Sequence, residues 1–250
     1  MRLSAKCAEL FDFSRRRGKE FIKEGKISVN GKTVRKDIEI EGDEDIRAEL
    51  DYRSEGNPAG EFIIKQNEQT LFLYKPPFMH TERHTPEDPP VLEDLVPEGY
   101  TLISRLDYET DGVIAAVRSG LSPKHIHKRY IAFVGGSFPT SLVMENRIDA
   151  RKRRKVKVLD ENGGNRTFFS LKDSHDGFSL ISAELAHASR HQLRAYLAHV
   201  GFPILGDKLY GGADFPRMML HCAYTEIDRD CADSSKEADF IEYFKTRAMI

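Results

Sequence analysis

Between Leu102 and Val117 two apolar runs, Leu102-Ile103 and Val113-Ile114-Ala115-Ala116-Val117, flank the polar stretch Ser104-Arg105-Leu106-Asp107-Tyr108-Glu109-Thr110-Asp111-Gly112. Aliphatic and β-branched runs interrupted by a polar loop and a glycine read as strand, turn, strand, so this segment commits the middle of the chain to a sheet. Gly112 can take the positive φ that a tight turn demands. On an extended backbone, side chains two apart share a face, so Arg105 and Asp107 project together while Leu106 points the other way. An arginine and an aspartate side by side at a strand end form either a site or a structural ion pair at a sheet edge.

The chain of 250 residues has room for one large domain, or a small and a medium one, with a proper core. With 40% hydrophobic and 31% charged residues it has the composition of a globular, soluble protein. A formal net charge of -2 does not announce a nucleic-acid partner, but the charge is uneven. Basic clusters stand at Arg15-Arg16-Arg17 and from Arg151 to Lys157, and any phosphate binding falls to such local patches. Cys7, Cys222 and Cys231 are odd in number and have neither disulfide-framework nor metal-site spacing, which fits a reducing compartment. No signal-peptide pattern and no run of membrane-spanning length is present, so a cytoplasmic protein is expected.

Residues 1–50 read as a small unit. Ser14 is a credible N-cap for a helix from Arg15 to about Glu24, with Phe21 and Ile22 inward and Gly25 as its stop. Ile27-Ser28-Val29, the turn Asn30-Gly31 and Lys32-Thr33-Val34 predict a hairpin. A basic helix followed by this hairpin, and then by Glu41-Gly42-Asp43, resembles the S4 RNA-binding domain. The resemblance implies RNA contacts from Arg15, Arg16, Arg17, Lys19, Lys23 and Lys26. Residues 51–60 are polar and rich in turn formers, a linker, and 61–250 form the second domain.

In that domain Phe62-Ile63-Ile64 and Leu71-Phe72-Leu73-Tyr74 read as strands, the second ended by Lys75-Pro76-Pro77 because proline cannot continue a ladder. Val91 to Val96 is a candidate short helix. Ser122-Pro123 predicts a helix through His127, followed by a strand Lys128-Arg129-Tyr130-Ile131-Ala132-Phe133-Val134-Gly135. Val156 to Leu159 and Thr167 to Leu171 read as strands joined by a turn at Asn162-Gly163-Gly164, a basic hairpin that either contacts RNA or is a solvated face. Phe178 to Leu185 is a further strand. Leu193, Tyr196, Leu197 and Val200 recur at helical spacing, stopped by Gly201 and Pro203. Arg190 and Arg194 would then share a face near that helix's positive end, a placement that asks for an anion, carboxylate or phosphate. Phe240, Ile241 and Phe244 predict a C-terminal helix.

Three segments together resemble the RluA-type RNA pseudouridine synthases. Ser104-Arg105-Leu106-Asp107-Tyr108-Glu109-Thr110-Asp111-Gly112 is similar to His-Arg-Leu-Asp-x-x-Thr-Ser-Gly, with Ser104 for His and Asp111 for Ser. The strand from Lys128 to Gly135, with the glycine that follows it, matches Lys-x-Tyr-x-Ala-x-Val-x-Gly. Arg190-His191-Gln192-Leu193-Arg194, with Gly201, Pro203, Ile204, Gly206 and Asp207, matches most of a third signature, although Ser189 stands where the family has Arg and Arg190 where it has Thr. Lys75, Pro76 and His80 match a fourth, weaker segment, which Tyr74 departs from.

The resemblance implies an α+β fold: a mixed, mainly antiparallel sheet with flanking helices, preceded by the small S4-like domain. It implies an isomerase that turns uridine of structured RNA, ribosomal RNA ahead of transfer RNA, into pseudouridine. It assigns the catalytic carboxylate to Asp107, the flipped-base partners to Arg105 and Tyr130, and the cation beside Asp107 to Arg194. Lys75, His80, Arg190, His191 and Gln192 become RNA contacts. The reaction neither oxidises nor hydrolyses, so no cofactor and no metal are expected. Asp111 either caps its turn or faces the site, where it would repel phosphate and raise the pKa of Asp107. An inactive RNA-binding factor on the same fold is the alternative. A carboxylate hydrolase using Asp107 and His191 would need a second acid or a nucleophile elbow, and the sequence offers neither.

Overall fold

The computed structural model describes residues 1–11, 15–41, 44–48, 62–83, 85, 90–151, 154–175 and 177–248, the side chains of residues 8, 9, 11, 16, 17, 20 and 175 excepted. The chain divides into two compact units, Met1–Pro58 with Glu82–Asp94, and Ala59–Thr81 with Leu95–Ile250. The expected linker at 51–60 and the Ser14 cap lie outside the described residues.

The first unit opens with α1 (Leu3–Phe11), which the sequence reading overlooked, and α2 (Arg15–Glu24). Gly25 ends α2 at φ +76, and Asn30 and Gly31, both at positive φ, turn the hairpin of β1 (Ile27–Val29) and β2 (Lys32–Val34). A third strand, β3 (Ile46–Ala48), pairs antiparallel with β1. Leu3, Cys7, Phe21, Ile22, Ile27 and Ile40 are the core of this unit. Burial, with Asp37 nearby, pushes the Cys7 thiol up to about 11, so it serves as an apolar filler.

In the second unit the described strands form one sheet of ten. They are β4 (Ile63–Gln66), β5 (Thr70–Lys75), β6 (Tyr100–Leu102), β7 (Asp111–Arg118), β8 (Ile126–Gly135), β9 (Ser141–Asp149), β10 (Lys157–His175), β11 (Phe178–Leu185), β12 (Leu220–Ile227) and β13 (Asp230–Asp233). The order is β4-β5-β7-β12-β8-β11-β10-β9, with β6 on β7 and β13 on β12. Only β7 and β12 run parallel, through His221 opposite Asp111 and Cys222 opposite Gly112. Every other pairing in this sheet is antiparallel. Helix α3 (Gln192–His199) and helix α4 (Glu237–Ala248) complete the unit, while the single 3-10 turn Leu92–Leu95 belongs up to Asp94 to the first. Phe240 and Phe244 of α4 pack on Phe133 of β8, the Phe133 and Phe244 rings stacked at 3.7 Å. Among the described residues no helix is long and apolar enough to cross a membrane.

Two local expectations are corrected. Ser122-Pro123 opens no helix: the chain runs extended into β8, whose Ile131 to Val134 are buried, and a sheet position outweighs a local helix-start signal. Asn162-Gly163-Gly164 does not turn the chain; it lies inside the continuous β10, where the register against β9 shifts on either side of Asn162. Gly163 takes φ +96, and a Cβ on Gly164 would stand 1.9 Å from the Asn146 carbonyl oxygen, so the glycines make a bulge.

Candidate active site

The polar stretch between β6 and β7 carries the candidate site, and the backbone around it is pinned from several sides. Thr81 Oγ1 donates to the Leu106 carbonyl at 2.9 Å and accepts the Leu106 N–H at 3.1 Å. The Phe78 N–H donates to the Tyr108 carbonyl at 2.8 Å. Lys75 is fully buried, and its ammonium donates to the carbonyls of Pro76, Met79 and Tyr108 at 2.9, 2.8 and 3.3 Å. Lys128, also buried, donates to Ser104 Oγ at 2.7 Å. Gly112 sits at φ +122 with the Cys222 carbonyl oxygen 2.2 Å from where a Cβ would stand, so β7 and β12 approach this closely only because residue 112 is glycine. Leu106 turns inward while Arg105 is exposed and Asp107 half-buried, the alternation expected from the sequence.

Arg194, on the first turn of α3, holds two carboxylates. Its Nε and Nη2 donate to Asp207 Oδ2 and Oδ1 at 2.7 and 2.8 Å, a bidentate pair with a fully buried aspartate. Its remaining fork nitrogen, Nη1, donates to Asp107 Oδ2 at 2.7 Å. Burial works against the guanidinium charge, but the bonds to Asp207 and Asp107 outweigh it and push the arginine above its ordinary pKa. Asp207 therefore fixes Arg194, and Arg194 presents one donor to Asp107. The other Asp107 oxygen, Oδ1, lies 3.8 Å from His191 Nε2. The anion that two arginines near the helix start seemed to require is a pair of carboxylates, and one arginine meets it. Arg190 precedes α3, which begins at Gln192, so the two do not share a helix face.

Tyr130 is buried on β8, opposite Cys222 of β12. Burial first, then Cys222 and the Asp107 charge, push its phenol well above its usual pKa, which keeps it neutral. The Cys222 thiol is raised by burial, and Lys128 is lowered by it.

Two expected RNA contacts are corrected. Lys75 has no surface for a phosphate: burial lowers its pKa to about 7, against the raising pull of Asp111 and Asp107, and it braces the loop below Asp107. Gln192 is 2% exposed and turned inward. Its Nε2 donates to the Asn165 carbonyl and Thr167 Oγ1, and its Oε1 accepts the Ser189 N–H. His80 is half-buried with its ring 4.6 Å from that of Tyr108. Asp111 neither caps the turn nor faces the site. It is 2% exposed and accepts from Arg217 Nη1 at 2.8 Å and Tyr74 Oη at 3.0 Å, with His221 Nδ1 also 3.0 Å away. Burial alone would raise its pKa, but His221 and Arg217 hold the carboxyl well below the usual range.

On α2 of the first unit, Arg15, Lys19 and Lys23 are exposed at four-residue spacing and line one face, while Gly18, Phe21 and Ile22 are buried on the other. Lys26 pairs with Glu24 at 3.2 Å. The side chains of Arg16 and Arg17 lie outside the described residues.

Sequence reasoning missed three contributors. Asp207 closes the motif that carries Arg194, and a carboxylate in that place is a fair signal for a clamp. Thr81 and Tyr210 carry no local signal, because their partners at Leu106 and Val156 are far along the chain.

Comparisons with known proteins place the chain in a family. Residues 69–199 match the family model described as RNA pseudouridylate synthase. The ribosomal large subunit pseudouridine synthase D of Xanthomonas campestris pv. campestris is 28% identical over 240 residues, covering 85% of this chain and 72% of that protein. Among solved structures, human RNA pseudouridylate synthase domain containing 4 superposes with a TM-score of 0.59 at 17% identity, over 76% of this chain and 95% of the other. Human RNA pseudouridylate synthase domain containing 1 does so with a TM-score of 0.56 at 18% identity, over 72% and 84%. A family match over more than half of the chain, joined to the shared fold, makes this protein a member of the RNA pseudouridylate synthase family.

Proposed function

We propose that this RNA pseudouridine synthase isomerises uridine in large-subunit ribosomal RNA, with Asp107 as the catalytic carboxylate. The observation that carries the assignment is the Asp207–Arg194–Asp107 array, in which a buried clamp aims one guanidinium donor at one oxygen of a half-exposed carboxylate. Isomerisation breaks the bond from ribose C1′ to the ring nitrogen, turns the base, and joins C1′ to the ring C5; the C5 proton leaves and the nitrogen gains one. A carboxylate starts this by attacking C1′ or by removing the neighbouring sugar proton, and Arg194 holds one of its oxygens in place for either route. Tyr130 receives the flipped base by stacking, and the exposed Arg105 holds the flipped conformation. The name of the Xanthomonas relative supports ribosomal RNA as substrate.

Residues 1–50 serve as an S4-like RNA-binding domain ahead of the linker at 51–60 and the catalytic domain at 61–250. The stripe of Arg15, Lys19 and Lys23 supports this, since three cations at one spacing track a phosphate backbone. Arg16, Arg17, Lys26, His80 and Arg190 supplement it. Three free cysteines, Cys7, Cys222 and Cys231, support a cytoplasmic location.

Site-resolved pseudouridine mapping of total RNA tests the proposal in cells lacking the protein, cells with it restored, and cells carrying Asp107→Asn. Loss of one or a few ribosomal sites, restored by the native chain and not by Asp107→Asn, is the expected result. An unchanged ribosomal map with the protein expressed overturns the substrate, and rescue by Asp107→Asn overturns the carboxylate.

A further inference from the structure

His191 interrupts the backbone just before α3 with φ 57 and ψ 18, a left-handed conformation that side-chain-bearing residues seldom adopt. This conformation sets the imidazole between two groups. Nε2 lies 3.8 Å from Asp107 Oδ1, the oxygen that Arg194 does not take, and Nδ1 lies 3.2 Å from the Tyr210 hydroxyl. Tyr210 bears on what each nitrogen carries. Its oxygen already accepts the Val156 N–H at 2.9 Å, so its single proton is free to donate, and Nδ1 is the acceptor within reach among the described residues. An Nδ1 that accepts leaves the ring proton on Nε2, directed at Asp107.

Resting on the reading of Asp107 as the catalytic carboxylate, we propose that His191, held in its Nε2–H tautomer by Tyr210, is a positioning residue for the Asp107 oxygen that Arg194 leaves open. Arg194 and His191 then face the two oxygens from different sides, the first by a charged bond of 2.7 Å and the second by a contact of 3.8 Å that must shorten to become a hydrogen bond. His191 thereby acts on the carboxylate and not on the RNA backbone. The charges facing the ring are Asp107 and Asp207, which favour protonation, and Arg194 and Arg190, which oppose it. Burial is the largest influence and, with the arginines, lowers the imidazole's pKa below its ordinary value, so the ring is neutral at neutral pH. The Tyr210 ring stands edge-on to His191 at 5.8 Å and lies 5.2 Å from the Arg194 guanidinium, which joins the positioning groups into one assembly.

Single-turnover tritium release from large-subunit ribosomal RNA transcribed with [5-³H]uridine tests this on the full chain, comparing native protein, Asp107→Asn, His191→Ala, His191→Gln and Tyr210→Phe across pH. His191→Ala is expected to slow the chemical step by about ten- to a hundredfold with KM unchanged, the effect of losing one bond to a charged group. His191→Gln keeps a donor at the Nε2 position and recovers most of that loss, without the histidine's contribution to the acid limb. Tyr210→Phe removes the bond that favours the neutral ring, so the acid limb moves to higher pH by roughly half a unit or more.

A chemical step within about twofold of native in His191→Ala, or a rise in KM alone, overturns the proposal; the latter makes His191 an RNA contact. An acid limb that does not move in Tyr210→Phe also overturns it, and this profile stands if His191→Ala fails to fold. Activity retained by Asp107→Asn refutes the underlying reading of the site. Inactive Asp107→Asn together with unaffected His191 and Tyr210 variants refutes the positioning role alone.

Discussion

Two aspartate–arginine pairs lie four residues apart in the second unit, and they end in opposite roles. Asp107 and Arg194 meet with 26% of the aspartate side chain open, whereas Asp111 and Arg217 meet with 3% open. Arg194 is fixed from behind by Asp207 and has one donor to spare for Asp107. Arg217 is packed on the Phe240 and Tyr243 rings of α4 at 5.2 and 5.1 Å, and Asp111 is enclosed by Tyr74 and His221 as well. The same two side chains thus make a candidate site where one oxygen is left without a bond from the arginine and a structural clamp where both oxygens are taken. What separates the two pairs is the open oxygen, not the ion pair.

The largest expected difference between the pairs is catalytic. Asp107→Asn should lower activity by on the order of 10³-fold or more, the usual cost of removing the group that does the chemistry. Its melting temperature should stay close to native, because Arg194 keeps its bidentate bond to Asp207. Tritium release and thermal unfolding on one preparation check both halves. Loss of folding in Asp107→Asn would break the distinction between site and clamp.

Arg217→Met tests the other side. It leaves Asp111 buried with only Tyr74 and His221, and should destabilise by about 3–5 kcal/mol, read by denaturant unfolding. The double variant Asp111→Ser with Arg217→Met removes both charges and should recover much of that loss, since a buried pair exchanged for neutral groups is often near neutral. No recovery would mean that Arg217 acts through its contacts with α4.

Arg194→Lys is predicted to fall between these. Lysine keeps the charge but has no planar fork to serve Asp207 and Asp107 together, so activity should drop by about a hundredfold while the chain stays folded. An active Arg194→Lys variant would show that charge alone suffices.

The smallest effect is on acid stability. The folded Asp111 carboxyl has a depressed pKa, so its contribution is fully present above the ordinary aspartate value of about 4 and fades as pH falls below it. Native protein should lose stability through that window more steeply than Asp111→Ser with Arg217→Met. Equal slopes would remove the carboxyl from the account of acid unfolding.

Much of the fold could be read locally. Asn30-Gly31 turned the predicted hairpin, Gly25 stopped α2, and the run from Lys128 became β8 because burial on a sheet suits its alternating β-branched and aromatic residues. The helix at Leu193 to Val200 followed from apolar spacing. Local signals failed where distant chain decided. Ser122-Pro123 has a helix-start pattern, yet the strand that follows is held between β11 and β12. Asn162-Gly163-Gly164 has a turn composition, yet β9, absent from the sequence reading, pairs along β10 on both sides of it.

The sequence by itself determined which residues are the candidates for the chemistry: an aspartate on a pinned loop, an arginine at the start of a helix, and an aromatic in a strand. It did so because residue type and short spacing are properties of the local chain. Only the tertiary structure decided which charge is used and which is silenced. Lys75 turned inward to brace the loop, Asp111 was neutralised by Arg217 far along the chain, and Asp207 became the clamp behind Arg194. Desolvation and pairing depend on what covers a group in three dimensions, and no spacing along the chain specifies that.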